Sequence, residues 1–329
     1  MSVPALSVAM SVYNGASHLG LAIESITRQT YTDFEFLILN DGSSDASADI
    51  INEHAARDRR IRPIHRDNRG LIASLNQLVD ESRAPLIARM DADDISLPER
   101  FAKQMAFMTA NPAYGVVGTW TSDIDEHGAP FAVTGADHPT DHDAFIASIG
   151  HISMLCHPSV MMRRDLVRSV GGYHNAFKHC EDYDLWLRLA SVTKLCSLPE
   201  RLVQYRHWSN QVSSRFAYTQ QIGAAVAYLA YCERSAGRAD PTESIDALPP
   251  VEELDTLFGR VGFGDAVRSR VAPSIIYSQA ALNDEGFPLL LDYIRGGGKA
   301  PGLWRTVARL MRFGEPAKAV HLFLTLATR

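Results

Sequence analysis

This sequence predicts an α/β fold: a Rossmann-like, mostly parallel sheet flanked by helices, followed by an all-helical carboxyl-terminal extension. Three observations lead there. Short apolar runs rich in branched residues alternate with helical patterns, which is the signature of βαβ units. The runs end in turns rich in Asp, Asn and Gly, at the edge where an open parallel sheet leaves its ligand crevice. Beyond Arg215 the alternation stops and one helical pattern follows another.

The runs "LSVAMSV" (Leu6–Val12), "FEFLIL" (Phe34–Leu39), "IRPIH" (Ile61–His65), "PLIARM" (Pro85–Met90) and "YGVVGTW" (Tyr114–Trp120) read as strands. Helices are expected between them, over His18–Thr27, Ala46–Arg57, Leu71–Glu81 and Pro98–Asn111. Pro98 suits a first helical turn, where its missing N–H costs nothing. After Trp120 a hairpin or irregular excursion leads to a helix near Asp143–Ile149, and Pro158–Arg164 reads as a further strand. "RDLVRSVGGY" is a short helix stopped by Gly171 and Gly172, "EDYDLWLRLAS" a stronger one, and "TKLCSLPERLVQYRHW" supplies one or two final strands. The expected division is a principal domain over 1–214 and a helical extension over 215–329.

The net charge of −6, with 21% charged and 46% hydrophobic residues, describes a soluble globular chain and argues against nucleic acid as a partner. No run reaches the length of a membrane span, and "MSVPALSVAMSVYNG" lacks the basic start and small-residue cleavage site of an export signal, so a cytoplasmic location is expected. Cys156, Cys180, Cys196 and Cys232 form no CxxC pair, which favours reduced thiols. His151, Cys156, His157, His179 and Cys180 fall in one region, but none has finger-like spacing, and zinc is not expected.

The strand ends carry the chemistry. Tyr13, Asn14 and Gly15 form a turn able to lay backbone against a flat ligand, and Asp41, presented from "LILNDGSSD", can accept the imide N–H of a uracil or thymine ring. Asp41 or Ser44 can equally cap the next helix. Asn68 and Gly70 precede a helix whose free N–H groups favour a phosphate or ribose hydroxyl, although turn chemistry alone explains them too. Asp91, Asp93 and Asp94, three carboxylates in "IARMDADDISLPER", repel one another unless a cation or donors offset them. Hard oxygen ligands at a buried strand end suit Mg²⁺ or Mn²⁺, particularly with a diphosphate completing the shell. Acids dressing a helix amino terminus are the alternative, which accounts poorly for Asp91. Glu181 and Asp182 open a helix, as a general base or as a cap. Arg206, His207 and Trp208 offer a phosphate grip, a metal ligand and a stacking face, or ordinary packing.

Taken in order, "SVYNG", "QTYTDFEFLILNDGSSD", "NRGLIASLN", "ARMDADDISLPERFAKQ", "HPSVMMRRDLVRSVGGY" and "EDYDLWLRLA" closely resemble the family 2 nucleotide-sugar glycosyltransferases of GT-A fold, over roughly Leu6 to Ser214. The resemblance implies an inverting transferase acting on a nucleotide-diphospho-sugar, with a UDP-sugar favoured and Mn²⁺ or Mg²⁺ as cofactor. It implies a donor site of Val12, Tyr13, Asn14, Asp41, Asn68, Gly70, Arg89, Asp91 and Ala92, with Asp41 on the base and Asp91 on the ribose or nucleotide. Asp93 corresponds to the metal ligand, Asp182 to the catalytic base and Glu181 to its neighbour that positions acceptor or base. His207 is carried over as a second metal ligand with a departure: many relatives read Tyr-Arg, any residue, then His, whereas here His207 follows Arg206 directly and Trp208 holds the usual place. Ser11 replaces a common proline. A glycan or lipid-linked acceptor in surface polysaccharide or glycolipid biosynthesis is implied by the same analogy.

The carboxyl-terminal stretch sets Lys299, Arg305, Arg309, Arg312, Lys318 and Arg329 against Glu315 alone, interleaved with Leu303, Trp304, Val307, Leu310 and Met311. Such a pattern suits a peripheral contact with an anionic membrane at its inner, cytoplasmic face, or a helical bundle or homodimer surface. A protein that keeps this fold and binds the nucleotide sugar without turnover is the rival reading, and the retained acidic sets weigh against it. A phosphoacceptor receiver domain would be far shorter. A nucleotidyltransferase would want a basic glycine-rich loop where "SVYNGASHLG" has neither Lys nor Arg.

Overall fold

The computed structural model describes residues 3–131, 137–150, 154–208, 216–283, 286–299 and 301–328. The chain separates into two compact units, one formed by Met1–His174 and Leu185–Trp208, the other by Asn175–Asp184 and Ser209–Arg329.

The first unit is built on an eight-stranded sheet: β1 (Leu6–Val12), β2 (Phe34–Asp41), β3 (Ile61–Arg66), β4 (Leu86–Met90), β5 (Ile95–Ser96), β6 (Tyr114–Ile124), β7 (Met161–Arg163) and β8 (Lys194–Arg206), in the spatial order β3-β2-β1-β4-β7-β6-β8-β5. Strands β1 to β4 pair in parallel. The other half is mixed: β7 runs antiparallel to both β4 and β6, β5 antiparallel to β8, and β6 parallel to β8.

Burial explains the parallel half. Every residue of β2 is buried, as a strand covered on both faces requires. In β1 the period of two sends Leu6, Val8, Met10 and Val12 into one core with Leu19, Ala22, Ile23 and Ile26 of α1 (Ala16–Thr27). Those four lie on a single helix face, and burying each large one contributes about 2 kcal/mol. Phe101 and Met108 of α4 (Arg100–Ala110) and Ile51 of α2 (Ser47–Arg57) join the same core. On its other face β1 is covered by α3 (Leu71–Glu81), which buries Ile72, Leu75, Leu78 and Val79. At the entry edge of the sheet Ser7 Oγ donates to Glu35 Oε1 at 2.7 Å, and Arg62 and Arg83 clamp the same buried carboxylate.

The expected strand over Pro158–Arg164 shortens to β7, because His157–Ser159 winds into a 3-10 turn. The turn is held by Ser159 Oγ, which donates to the Cys156 carbonyl and accepts the Thr119 N–H. Strand β6 runs past Trp120 to Ile124, and β8 is one strand with register shifts against β6. Helices α5 (His142–Ser148) and α6 (Arg164–Ser169) complete the order up to α7 (Glu181–Leu189), whose first four residues count with the second unit.

The second unit is helical: Ala217–Ser235, Leu254–Leu257, Phe263–Ile275, Gln279–Asn283, Gly286–Arg295, Leu303–Arg312 and Pro316–Ala327. Val226, Val271, Ile275, Leu290, Leu310 and Leu322 are among its buried side chains. Among the described residues no helix is long and apolar enough to cross a membrane. The boundary expected at 214/215, like His151, lies outside the described residues.

Candidate active site

Strands β1 and β2 end side by side, Val12 opposite Asn40, and their loops are stitched together. Asn14, held at a φ of 52°, accepts the Ser44 N–H on Oδ1 at 2.8 Å, while its own N–H donates to Ser43 Oγ at 2.9 Å. The Gly15 N–H donates to Ser47 Oγ and the Ala16 N–H to Asp45 Oδ2. Asp45 also accepts the Ser47 N–H just before α2, whose N-cap is Ala46 with no side-chain cap. Val12 is buried, and Tyr13 stands out from this platform, 59% exposed. A side chain at position 15 would meet Val12 Cγ1 at 3.3 Å and Ala92 Cβ at 3.6 Å, so the loops after β1 and β4 touch here.

Asp41 corrects the sequence reading. It is not presented to solvent but buried, 2% exposed. Its Oδ1 accepts from Arg66 Nε at 2.8 Å and the Arg69 N–H at 3.0 Å, and its Oδ2 accepts the Gly70 N–H at 2.8 Å. The carboxylate therefore binds the loop after β3, leaving one acceptor position on Oδ2. Gly42 follows at a φ of +75°, where a Cβ would sit 2.7 Å from the Asn68 nitrogen. That close approach brings Asn68, itself exposed, and Gly70 against the end of β2.

The acidic segment leaves β4 next to β1. Oxygens of Asp91, Asp93 and Asp94 lie within 4.8 Å of one another, the one group of its kind among the described residues. Arg89, buried in β4, is ion-paired with Asp91, whose side chain is 32% exposed. Asp94 is buried; its Oδ1 accepts the Arg206 N–H at 2.8 Å, and its Oδ2 has no hydrogen-bond partner among the described residues. Arg89 Nε and Nη1 are likewise unpartnered. Burial pushes the Asp94 carboxyl well above the usual range, and the charges of Asp91 and Asp93 add to it. Burial and then the Asp91 charge raise Asp93 as well, against a hydrogen bond from Trp208. Both shifts follow from burial first and from repulsion among the crowded carboxylates second.

Trp208, not His207, touches this cluster. Its Nε1–H donates to Asp93 Oδ2 at 2.9 Å, and its ring meets His18 edge-on at 5.8 Å. His207 instead points Nε2 at Asp123 Oδ1, 3.2 Å away, between Tyr205 and Phe131. Arg206 is buried and donates to the Asp93, Asp125 and Glu126 carbonyls, so it braces the acidic loop from within. Trp208 was legible only as a stacking residue, because nothing local in the sequence ties position 208 to position 93.

Glu181 and Asp182 stand in the second unit, at the start of α7. Glu181 is buried, and Asp182 Oδ1 accepts the Tyr183 N–H at 2.7 Å. The turn before them is held by the helix Ala217–Ser235. His179, at a φ of 70°, stacks on Phe216 with 4.0 Å between centroids, its carbonyl accepts from Gln220 Nε2, and the Cys180 sulfur lies where a Cβ on Gly223 would be 2.3 Å away. Nearby, His157 Nε2 lies 2.9 Å from the Tyr173 hydroxyl, and none of the four cysteines is in a disulfide.

Known proteins resemble this chain in sequence and in fold. The model of the family described as "Glycosyl transferase family 2" matches residues 7–171. The putative glycosyltransferase EpsE of Bacillus subtilis is 35% identical over 239 residues, 71% of this chain and 84% of the relative. The O-antigen biosynthesis glycosyltransferase WbnJ of Escherichia coli is 32% identical over 218 residues, 65% and 84% of the two chains. Among solved structures, S. aureus TarS 1-349 in complex with UDP superposes with a TM-score of 0.55 at 16% identity, covering 88% of this chain and 91% of that one. The mannosyltransferase PcManGT from Pyrobaculum calidifontis, in complex with GDP-Man and Mn²⁺, gives 0.54 at 15% identity, covering 99% and 88%. At these identities the two structures speak for the fold, a mixed sheet of GT-A type with helices after it.

Proposed function

The chain belongs to glycosyl transferase family 2, and from that premise we propose that it moves a sugar from a nucleoside-diphosphate donor, a UDP-sugar before others, to an acceptor hydroxyl with inversion. The observation that carries the reading is the crowding of Asp91, Asp93 and Asp94 at the end of β4, with a buried carboxylate oxygen left unpartnered. A hard divalent cation, Mn²⁺ or Mg²⁺, fits such an all-oxygen donor set and offsets its repulsion. Asp93 would hold it, flanked by Asp91 and Asp94, with Trp208 orienting Asp93; His207, turned to Asp123, is the weaker ligand candidate. When bound, the ion supplies neutralisation of the charge that collects on the departing diphosphate.

The remaining roles belong to the chain's own groups. Val12, Tyr13, Asn14 and Ala92 form the floor on which a base and ribose rest, Asp91 accepts from the ribose, and Arg89 orients Asp91 through their ion pair. Asp41 offers its last acceptor position to a base N–H while holding the Arg69 and Gly70 amides in place. Asp182 takes the proton from the attacking hydroxyl, and Glu181 positions it. The name of WbnJ supports a polysaccharide or glycolipid acceptor.

A donor screen tests this: the protein with Mn²⁺ and a panel of UDP-, dTDP- and GDP-sugars, read by donor hydrolysis and by thermal protection. A UDP-sugar should be used. Asp93→Ala should abolish metal-dependent donor binding, and Asp182→Asn should keep binding while slowing transfer roughly 10²- to 10⁴-fold. The reverse pattern would overturn the roles, and binding without turnover of any donor would leave a sugar-nucleotide-binding protein.

A further inference from the structure

The helices Leu303–Arg312 and Pro316–Ala327 each bury one face and leave another open. Leu303, Thr306 and Leu310 turn inward from the first, Ala319 and Leu322 from the second. Outward stand Trp304 at 56% exposure and Met311 at 57%, seven residues and therefore two turns apart, with Ala308 between them. On the second helix Val320, Phe323 and Leu324 are about half exposed, at the i, i+3, i+4 spacing of one face. Trp304 and Phe323 meet edge-on at 5.8 Å, so the two faces are continuous. An apolar patch of this kind marks a contact surface rather than scattered surface residues.

Its surroundings are cationic. Lys299, Arg305 and Arg312 are exposed. From Gly296 onward the sequence holds a single carboxylate, Glu315, and Lys318 lies 3.6 Å from it. In a chain of net charge −6 this local excess is not a general property of the surface.

We propose that this face docks on an anionic lipid bilayer, lying in the plane of the headgroups with Trp304, Met311, Val320, Phe323 and Leu324 dipped into the acyl boundary and Arg305 and Arg312 on the phosphates. At 10 and 12 residues neither helix can span. Charge decides against a second copy of the chain as the occupant. A two-fold contact sets each patch against itself and brings the same cations together, whereas acidic headgroups neutralise them. The inference is independent of the sugar-transfer reading.

The test is co-sedimentation of the full chain with vesicles of phosphatidylcholine alone or mixed equally with phosphatidylglycerol. Binding should require phosphatidylglycerol and weaken as salt is raised. Arg305→Gln with Arg312→Gln, two exposed changes, should reduce it roughly 25-fold, from about fivefold per charge. Trp304→Ser with Phe323→Ser should abolish it with circular dichroism unchanged. Equal or absent binding to both vesicles would overturn the proposal, as would variants that bind like the parent. So would a dimer in sedimentation analysis that Trp304→Ser with Phe323→Ser dissociates while no vesicle is bound.

Discussion

Asp41→Asn separates a base-reading carboxylate from a loop-holding one. The native Oδ1 takes Arg66 Nε and the Arg69 N–H, and Oδ2 takes the Gly70 N–H. An amide has one oxygen. Turned toward Arg66 and Arg69, it sets its NH₂ group against the Gly70 donor; flipped, it abandons two donors. Arg66, only 10% exposed, also loses its counter-charge, though Gln77 and Ser74 still accept from it at 2.6 and 2.8 Å. Removing one member of a buried pair costs about 3–5 kcal/mol, and the retained partners put this case at about 3. Hydrogen exchange over residues 66–72, followed by mass spectrometry, should show the Arg69 and Gly70 amides losing protection roughly a hundredfold. UDP-sugar affinity should fall in parallel. Unchanged protection with weakened nucleotide binding would refute the reasoning and return Asp41 to a purely ligand-facing role.

Trp208→Phe keeps the ring and removes the donor to Asp93, and losing such an orienting partner should weaken Mn²⁺ affinity roughly 10- to 100-fold in a calorimetric titration, with thermal stability little changed. Gly223→Ala puts a methyl 2.3 Å from the Cys180 sulfur; overpacking of about 1–3 kcal/mol should displace the turn that precedes Asp182, slowing transfer while donor affinity holds. Burial alone would raise Glu35, but hydrogen bonds from Arg83, Ser7 and Arg62 hold it down at about 2. Its contribution is therefore complete above the ordinary carboxylate value and is lost as pH falls toward the folded one. By about pH 3 the first unit should have lost about 2 kcal/mol from this group, a loss that Glu35→Gln removes from the pH profile of thermal unfolding.

What the sequence by itself determined is whatever short-range pattern encodes. Runs that are mainly apolar named most of the strands, since a strand buried on both faces is largely apolar, and the 3.6-residue recurrence named the helices. Asp91, Asp93 and Asp94 were legible as a carboxylate cluster because their crowding is already present within four residues. Their order with the other motifs carried the family. Only the tertiary structure decided that Asp41 is enclosed, because its partners Arg66, Arg69 and Gly70 arrive from a strand and loop some twenty-five residues on. It decided too that β7 enters the sheet antiparallel, since three residues carry no mark of direction. The indole of Trp208 reaches Asp93 across 115 residues of chain. Such a contact is set by where two strand ends finish in space, and periodicity reports only which side of an element is buried, never what it meets there.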